Sequence, residues 1–125
     1  MSSLKRTISG PVLSHRLTRD ELMLDPALLE QRGRTARTLV KEGPLRLTLM
    51  ALAPEGVLPD HRTDGPVTVH VLNGAVTFTA AGETYDLTAG EVLVFAAGVP
   101  HAAQSRTGCV FLLTVVHTTG QASAD

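Results

Sequence analysis

The sequence predicts an all-β fold, a β-sandwich or barrel, preceded by a short N-terminal helical segment. Three observations carry this. Short strand-forming runs follow one another over residues 34–117, each bounded by turn residues at close spacing. Within the clearest of them, apolar and polar positions alternate with the period of a half-buried strand. Hydrophobic residues make up 43% of the 125-residue chain and aromatics only 3%, so a single core must be built from aliphatic side chains.

Residues 1–10 are polar and small and read as a frayed tail. Thr18, with Glu21 three residues on, has the form of a capping box. A better-punctuated helix follows. Asp25 caps its start, Pro26 suits the first helical position, residues 27–32 are good helix formers, and Gly33 closes the end.

From Arg34 the period changes. Residues 36–41 and 45–53 read as strands joined by Glu42-Gly43-Pro44, and Leu45, Leu47, Leu49 and Ala51 share one face of the second. Residues 67–72 and 75–79 read as a hairpin over Asn73-Gly74, a strong two-residue turn signal because both residues tolerate positive φ. Ala80-Ala81-Gly82 turns into residues 83–87, and Thr88-Ala89-Gly90 into residues 91–95. Residues 96–100 lead to His101, and residues 109–117 form the last strand. The expected organisation is a tail and short helix over residues 1–33, a barrel over 34–117, and a disordered tail over 118–125.

Composition excludes several function classes. A net charge of -1 argues against a nucleic-acid surface, which needs a clustered basic face. Arg16, Arg19, Arg32, Arg34 and Arg37 are interleaved with acidic residues and read as a solvated face. Cys109 is the single cysteine, so no internal disulfide forms and a reducing compartment is expected. Its apolar surroundings point to a buried, inert thiol. Lys5 and Arg6 are not followed by the apolar stretch of a signal peptide, and the apolar runs are too short to span a bilayer. A soluble cytoplasmic protein without membrane partners is expected.

Two stretches carry the chemistry. Residues 56–74, GVLPDHRTDGPVTVHVLNG, place His61 before a loop and His70 inside an apolar run. Residues 90–101, GEVLVFAAGVPH, again run strand, turn and histidine, ending on His101. Together they resemble the two motifs of the cupin superfamily. Gly56 (one residue out of register), His61 and Gly74 match the first motif, and Gly90, Gly98 and His101 the second. The resemblance covers roughly residues 45–116. It implies a double-stranded β-helix, or jelly-roll, barrel that often forms a homodimer.

Cupins usually bind a divalent metal through three histidines and a glutamate. Here the second histidine of the first motif falls on Thr63 and the glutamate on Val67. The proline and asparagine of the second motif fall on Ala96 and Ser105. His61 and His101 remain, and two imidazoles rarely hold a metal tightly. His70 is the candidate third ligand, completing a three-His site for one divalent ion (Zn, Fe, Mn or Ni) with open positions for substrate. Strand parity argues otherwise: with Val67 inward, Val69 and Val71 also point inward and His70 outward, unless a bulge after Gly65-Pro66 reverses the order. His70 would then lie at a dimer interface or on a polar face.

The remaining polar groups read more plainly. His15 and His117 are expected at the surface, and Asp60 and Arg62 as solvated loop charges. Asp64 has access to the pocket mouth with nothing to fix it there. Tyr85 belongs to core or rim. No phosphate loop, nucleophile elbow or paired carboxylates appear.

Three readings of function follow. The first is a barrel that binds a small, largely apolar molecule, lined by Val69, Val71 and Phe95 and oriented by His61 and His101. The second is a metal-dependent enzyme using His61, His101 and His70, for which the resemblance implies dioxygenase or isomerase chemistry. The third is a non-catalytic dimeric interaction module. The residues favour the first.

Overall fold

The computed structural model describes residues 11–17 and 25–118. The N-terminal tail, the Thr18–Glu21 capping box and residues 119–125 of the C-terminal tail lie outside the described residues.

Helix α1 (Pro26–Arg32) has the expected punctuation. The Asp25 carboxylate accepts from the backbone N–H groups of Ala27 at 3.1 Å and Leu28 at 3.2 Å, with Pro26 in the first turn. Gly33 takes φ +82°, and its N–H closes the helix on the Leu29 carbonyl at 2.8 Å.

Eight strands follow: β1 (Arg34–Glu42), β2 (Leu45–Leu52), β3 (Gly56–His61), β4 (Val67–Ala80), β5 (Glu83–Thr88), β6 (Val92–Phe95), β7 (His101–Ser105) and β8 (Cys109–Val116). All pairings are antiparallel. One sheet runs β1-β2-β8-β4-β6, the other β5-β4-β7-β3. The two curl into the open barrel of an all-β jelly roll.

Strand β4 corrects the sequence reading. Residues 67–80 form one 14-residue strand and not a hairpin. Its first half pairs with β8 and β6, its second with β5 and β7. Between Val71 and Asn73 the register with β8 slips, and Gly74 just beyond takes φ +79°. The positive φ that suits a tight turn here makes a bulge, which bends the strand from one sheet into the other. A Cβ on Gly74 would run into the Gly108 carbonyl oxygen and lie 2.9 Å from the Cys109 Cα. The hairpin turn itself is Ala81-Gly82, two residues with φ +52° and +80° joining β4 to β5, the signature of a type I′ turn.

Alternation then builds two apolar layers. Val67, Val69 and Val71, then Val76, Phe78 and Ala80 beyond the bulge, face the barrel interior with Phe95, Phe111 and Val115. A second cluster, Leu39, Val40 and Leu49, lies on the outer face of the β1-β2-β8 sheet under Leu13 and Leu17. Cys109 is buried as expected, and burial pushes its thiol above the ordinary range. No helix among the described residues is long and apolar enough to cross a membrane.

The bulge generates a test. Gly74→Ala imposes both a left-handed backbone and a collision with main-chain atoms, and is expected to cost about 2–4 kcal/mol. Gly82→Ala has the same sign of φ but no atom within 4 Å of the added carbon, and is expected to cost only about 1 kcal/mol. Urea denaturation of both variants measures the gap, and equal losses would contradict the sheet-switching role of Gly74.

Candidate functional site

Strand β3 is an edge strand paired only with β7, which is why it tolerates Pro59. Leu58 sits opposite Ala103 and His61 opposite His101, so three steps on β3 answer two on β7. This extra residue restores His61 to the inner face, where strict alternation from Leu58 would have turned it outward. His61 and His101 thereby meet across the strands, ring centroids 4.3 Å apart and planes inclined by 63°.

Each imidazole is tied down through Nδ1 to a carbonyl two residues upstream: His61 to Pro59 and His101 to Val99, both at 3.0 Å. Phe95 stacks on His101 at 4.5 Å with planes 10° apart. Phe78 lies 5.8 Å from Phe95 and 5.5 Å from Phe111. All three phenylalanines of the chain thus form a packed line from the core to the histidine pair. Burial pushes the His101 imidazole below its ordinary value of 6.5 and the adjacent His61 adds to this, against the Val99 carbonyl and the Asp60 charge.

The loop between β3 and β4 is held at three points. The Thr63 hydroxyl donates to the Gly65 carbonyl at 2.9 Å, and the Thr63 carbonyl accepts from the Gly98 N–H at 2.8 Å. Gly65 packs so closely that a Cβ would strike the Val116 carbonyl. Asp64 does not enter the pocket mouth. Its carboxylate lies 2.6 Å from His117 Nδ1, while its carbonyl accepts from the Thr118 hydroxyl at 2.7 Å.

His117 is therefore not a surface residue. It is 2% exposed and continues the inward series Phe111, Leu113, Val115. Counting that period one step past the strand would have found it. His15 is exposed as expected, with Nε2 3.1 Å from the Leu39 carbonyl.

The other expected site residues separate. His70 shares a register row with Val92 and Leu112 on the outer face, because no bulge follows Gly65-Pro66 and parity is kept. The structure does not bring it to His61 and His101. Val69 and Val71 face inward but are 0% exposed, sealed in the core, and offer no surface to a ligand. Phe95 does reach the site. The apolar side chains that are only partly buried against this core are instead Met50, Leu58, Leu93, Val99 and Leu113. Leu93 and Leu113 share the parity of Phe95 and Val115, a signal present in the sequence.

A family description of the cupin domain matches residues 48–116. The chain belongs to the cupin family. A conserved protein of unknown function from Streptococcus pyogenes, SPY1581, is 31% identical over 94% of this chain and 96% of its own, with a TM-score of 0.70. A cupin superfamily protein from Desulfitobacterium hafniense is 18% identical over 67% of this chain and 77% of its own, at TM-score 0.65. A salicylate 1,2-dioxygenase from Pseudoaminobacter salicylatoxidans, solved with gentisate, has a TM-score of 0.69 at 21% identity, over 78% of this chain and 31% of its own. The last two likenesses show the fold alone. No curated protein matches the sequence.

The donor set of this cupin can be tested against the family's metal. His61 and His101 are adjacent, and their Nδ1 bonds leave Nε2 for ligation. The third position holds Thr63, whose hydroxyl is directed to Gly65, and the fourth holds Val67, which has no donor. Among the described residues no group of three or more His, Cys, Asp or Glu could hold a metal ion. Two imidazoles fall short of the three protein ligands a resident metal normally has, so these residues do not fit one.

The depressed His101 gives a pH dependence. The folded chain keeps this ring neutral where an unfolded histidine would charge. Its stabilising contribution is present above the ordinary value of 6.5 and is lost as pH falls through the lower folded value. Denaturant midpoints measured from about pH 7.5 to 5 should fall with acidification, and His101→Gln should flatten the fall. An unchanged slope in the variant would assign the effect to other groups.

Proposed function

We propose that this cupin binds a small, largely apolar molecule at the His61–His101 end of its inner face, without a resident metal. One observation carries the reading. Two adjacent imidazoles sit beside an apolar wall of Leu58, Leu93, Val99 and Phe95, while the two remaining donor positions hold Thr63 and Val67. Such a wall supplies contact area, and the imidazoles supply orientation. The metal-dependent enzyme, of dioxygenase or isomerase type, remains the competing reading because two ligands of the family's set are in place.

Elemental analysis of the dialysed protein, beside toluene and phenol titrations followed by NMR, separates the two. The expected result is far less than one metal per chain and saturable probe binding that survives chelation. Binding should weaken in His61→Ala and persist in His70→Ala. One tightly held divalent ion per chain, lost in His61→Ala with all probe binding, would establish the enzyme reading in its place.

The same protein is proposed to pair with a second copy through the outer face of the β1-β2-β8-β4-β6 sheet. Val92 is 55% and Val94 64% exposed there, beside Thr68, His70, Leu112, Thr114 and the exposed Val116. None of these seven carries a permanent charge, so two-fold contact sets like against like without burying an ion. Sedimentation should report a dimer, and Val94→Glu a monomer with unchanged probe binding. A monomeric parent protein at high concentration would remove the proposal.

A further inference from the structure

We infer that the His61–His101 pair selects its ligand by hydrogen-bond donation, taking a neutral hydroxyl compound and rejecting carboxylates. This rests on the small-molecule reading above and names the chemical class the site accepts.

The backbone sets the tautomer of both rings. A carbonyl oxygen only accepts, so the Nδ1 atoms facing Pro59 and Val99 must carry the ring hydrogens. A neutral imidazole has one such hydrogen. In the neutral ring each Nε2 therefore presents a lone pair, and no protein group bonds either of them among the described residues. The tautomer is fixed by chain geometry: a bulge before His61, and before His101 a tight turn with Gly98 at φ +78°. Neither arrangement depends on what is bound.

Thr63, Val67 and Phe95 add no donor to the pair. The Thr63 hydroxyl hydrogen points to the Gly65 carbonyl, Val67 is apolar, and Phe95 covers one face of His101. The Asp60 charge also acts on His101 through space. An ionised carboxylate brings only acceptors. It would meet two lone pairs and a like charge, and its desolvation would go uncompensated. A hydroxyl donates to Nε2 and satisfies a partly buried acceptor. Its apolar remainder lies against Leu58, Leu93 and Val99.

The test has two arms. Long-range proton–nitrogen spectra of the 15N-histidine-labelled protein should show the Nδ1–H tautomer in both rings in their neutral form. An Nε2–H tautomer in either ring overturns the inference. Phenol, anisole and benzoate are then titrated, with binding read by ligand-observed NMR. Phenol should bind at least about tenfold tighter than anisole or benzoate, the worth of one satisfied hydrogen bond. His61→Phe, at a half-exposed position that tolerates the change, should reduce that preference while keeping anisole affinity. Anisole or benzoate binding as tightly as phenol overturns the donor selection and leaves the small-molecule reading standing. Failure of all three to bind overturns both.

Discussion

The whole barrel depends on β4 changing sheets without a break. Gly74 makes this possible twice over, by adopting φ +79° and by leaving room for the Gly108 carbonyl where a side chain would stand. The strand's two halves then supply the inner rows of both sheets. On one, Val67 stands beside Phe95; on the other, Ala80 stands beside His101. The stack of Phe95 on His101 is thus a contact between sheets, and its spacing follows from the bend in a single strand. Site and core are in this sense one packing problem.

A second set of constraints acts on the loop between β3 and β4. Its backbone is fastened to the β7 side by Thr63 and Gly98 and to the end of β8 by Gly65, Asp64 and His117. The bulge ahead of His61 then orients the ring, and the carbonyls of Pro59 and Val99 set both tautomers. The polar features of the site are therefore positioned by main chain. Side chains supply the apolar wall. Main-chain positioning is rigid and costs little side-chain entropy, which favours a preorganised site over one assembled on binding.

Much of this was legible in the sequence. The cap, proline and glycine of α1 act locally, and local rules read them correctly. The short strands, the histidines of the two motifs and the outward parity of His70 follow from period and spacing. Asn73-Gly74 misled because its torsional preference is local while its use is tertiary: the same positive φ serves a turn or a bulge, and the partner strand decides. His117 was missed because it lies outside the two motifs and was read as surface, although the inward series of the last strand, Phe111, Leu113 and Val115, runs on to it. Val69 and Val71 were assigned to the ligand because inward was taken as accessible. Pattern gives direction but not depth: Val69 stands in one row between Leu93 and Leu113, yet it is fully buried while they are only partly so.

The replacements at Thr63 and Val67 change the chemistry of the site in one direction. A histidine and a glutamate there would bring a hydrated, charged centre. Val67 is 1% exposed and sits in the row that joins Phe95 to Val115, so the same position now extends the core toward the imidazoles. Fewer polar groups mean a lower local dielectric, which disfavours a charged His101 and strengthens any hydrogen bond formed at its free nitrogen. Thr63 and Val67 together remove two ligands of the family's metal site, and Val67 in addition makes the surroundings of the imidazoles apolar. The pair of histidines left behind keeps both Nδ1 atoms on main-chain carbonyls, so its chemistry is set by what reaches the two Nε2 atoms.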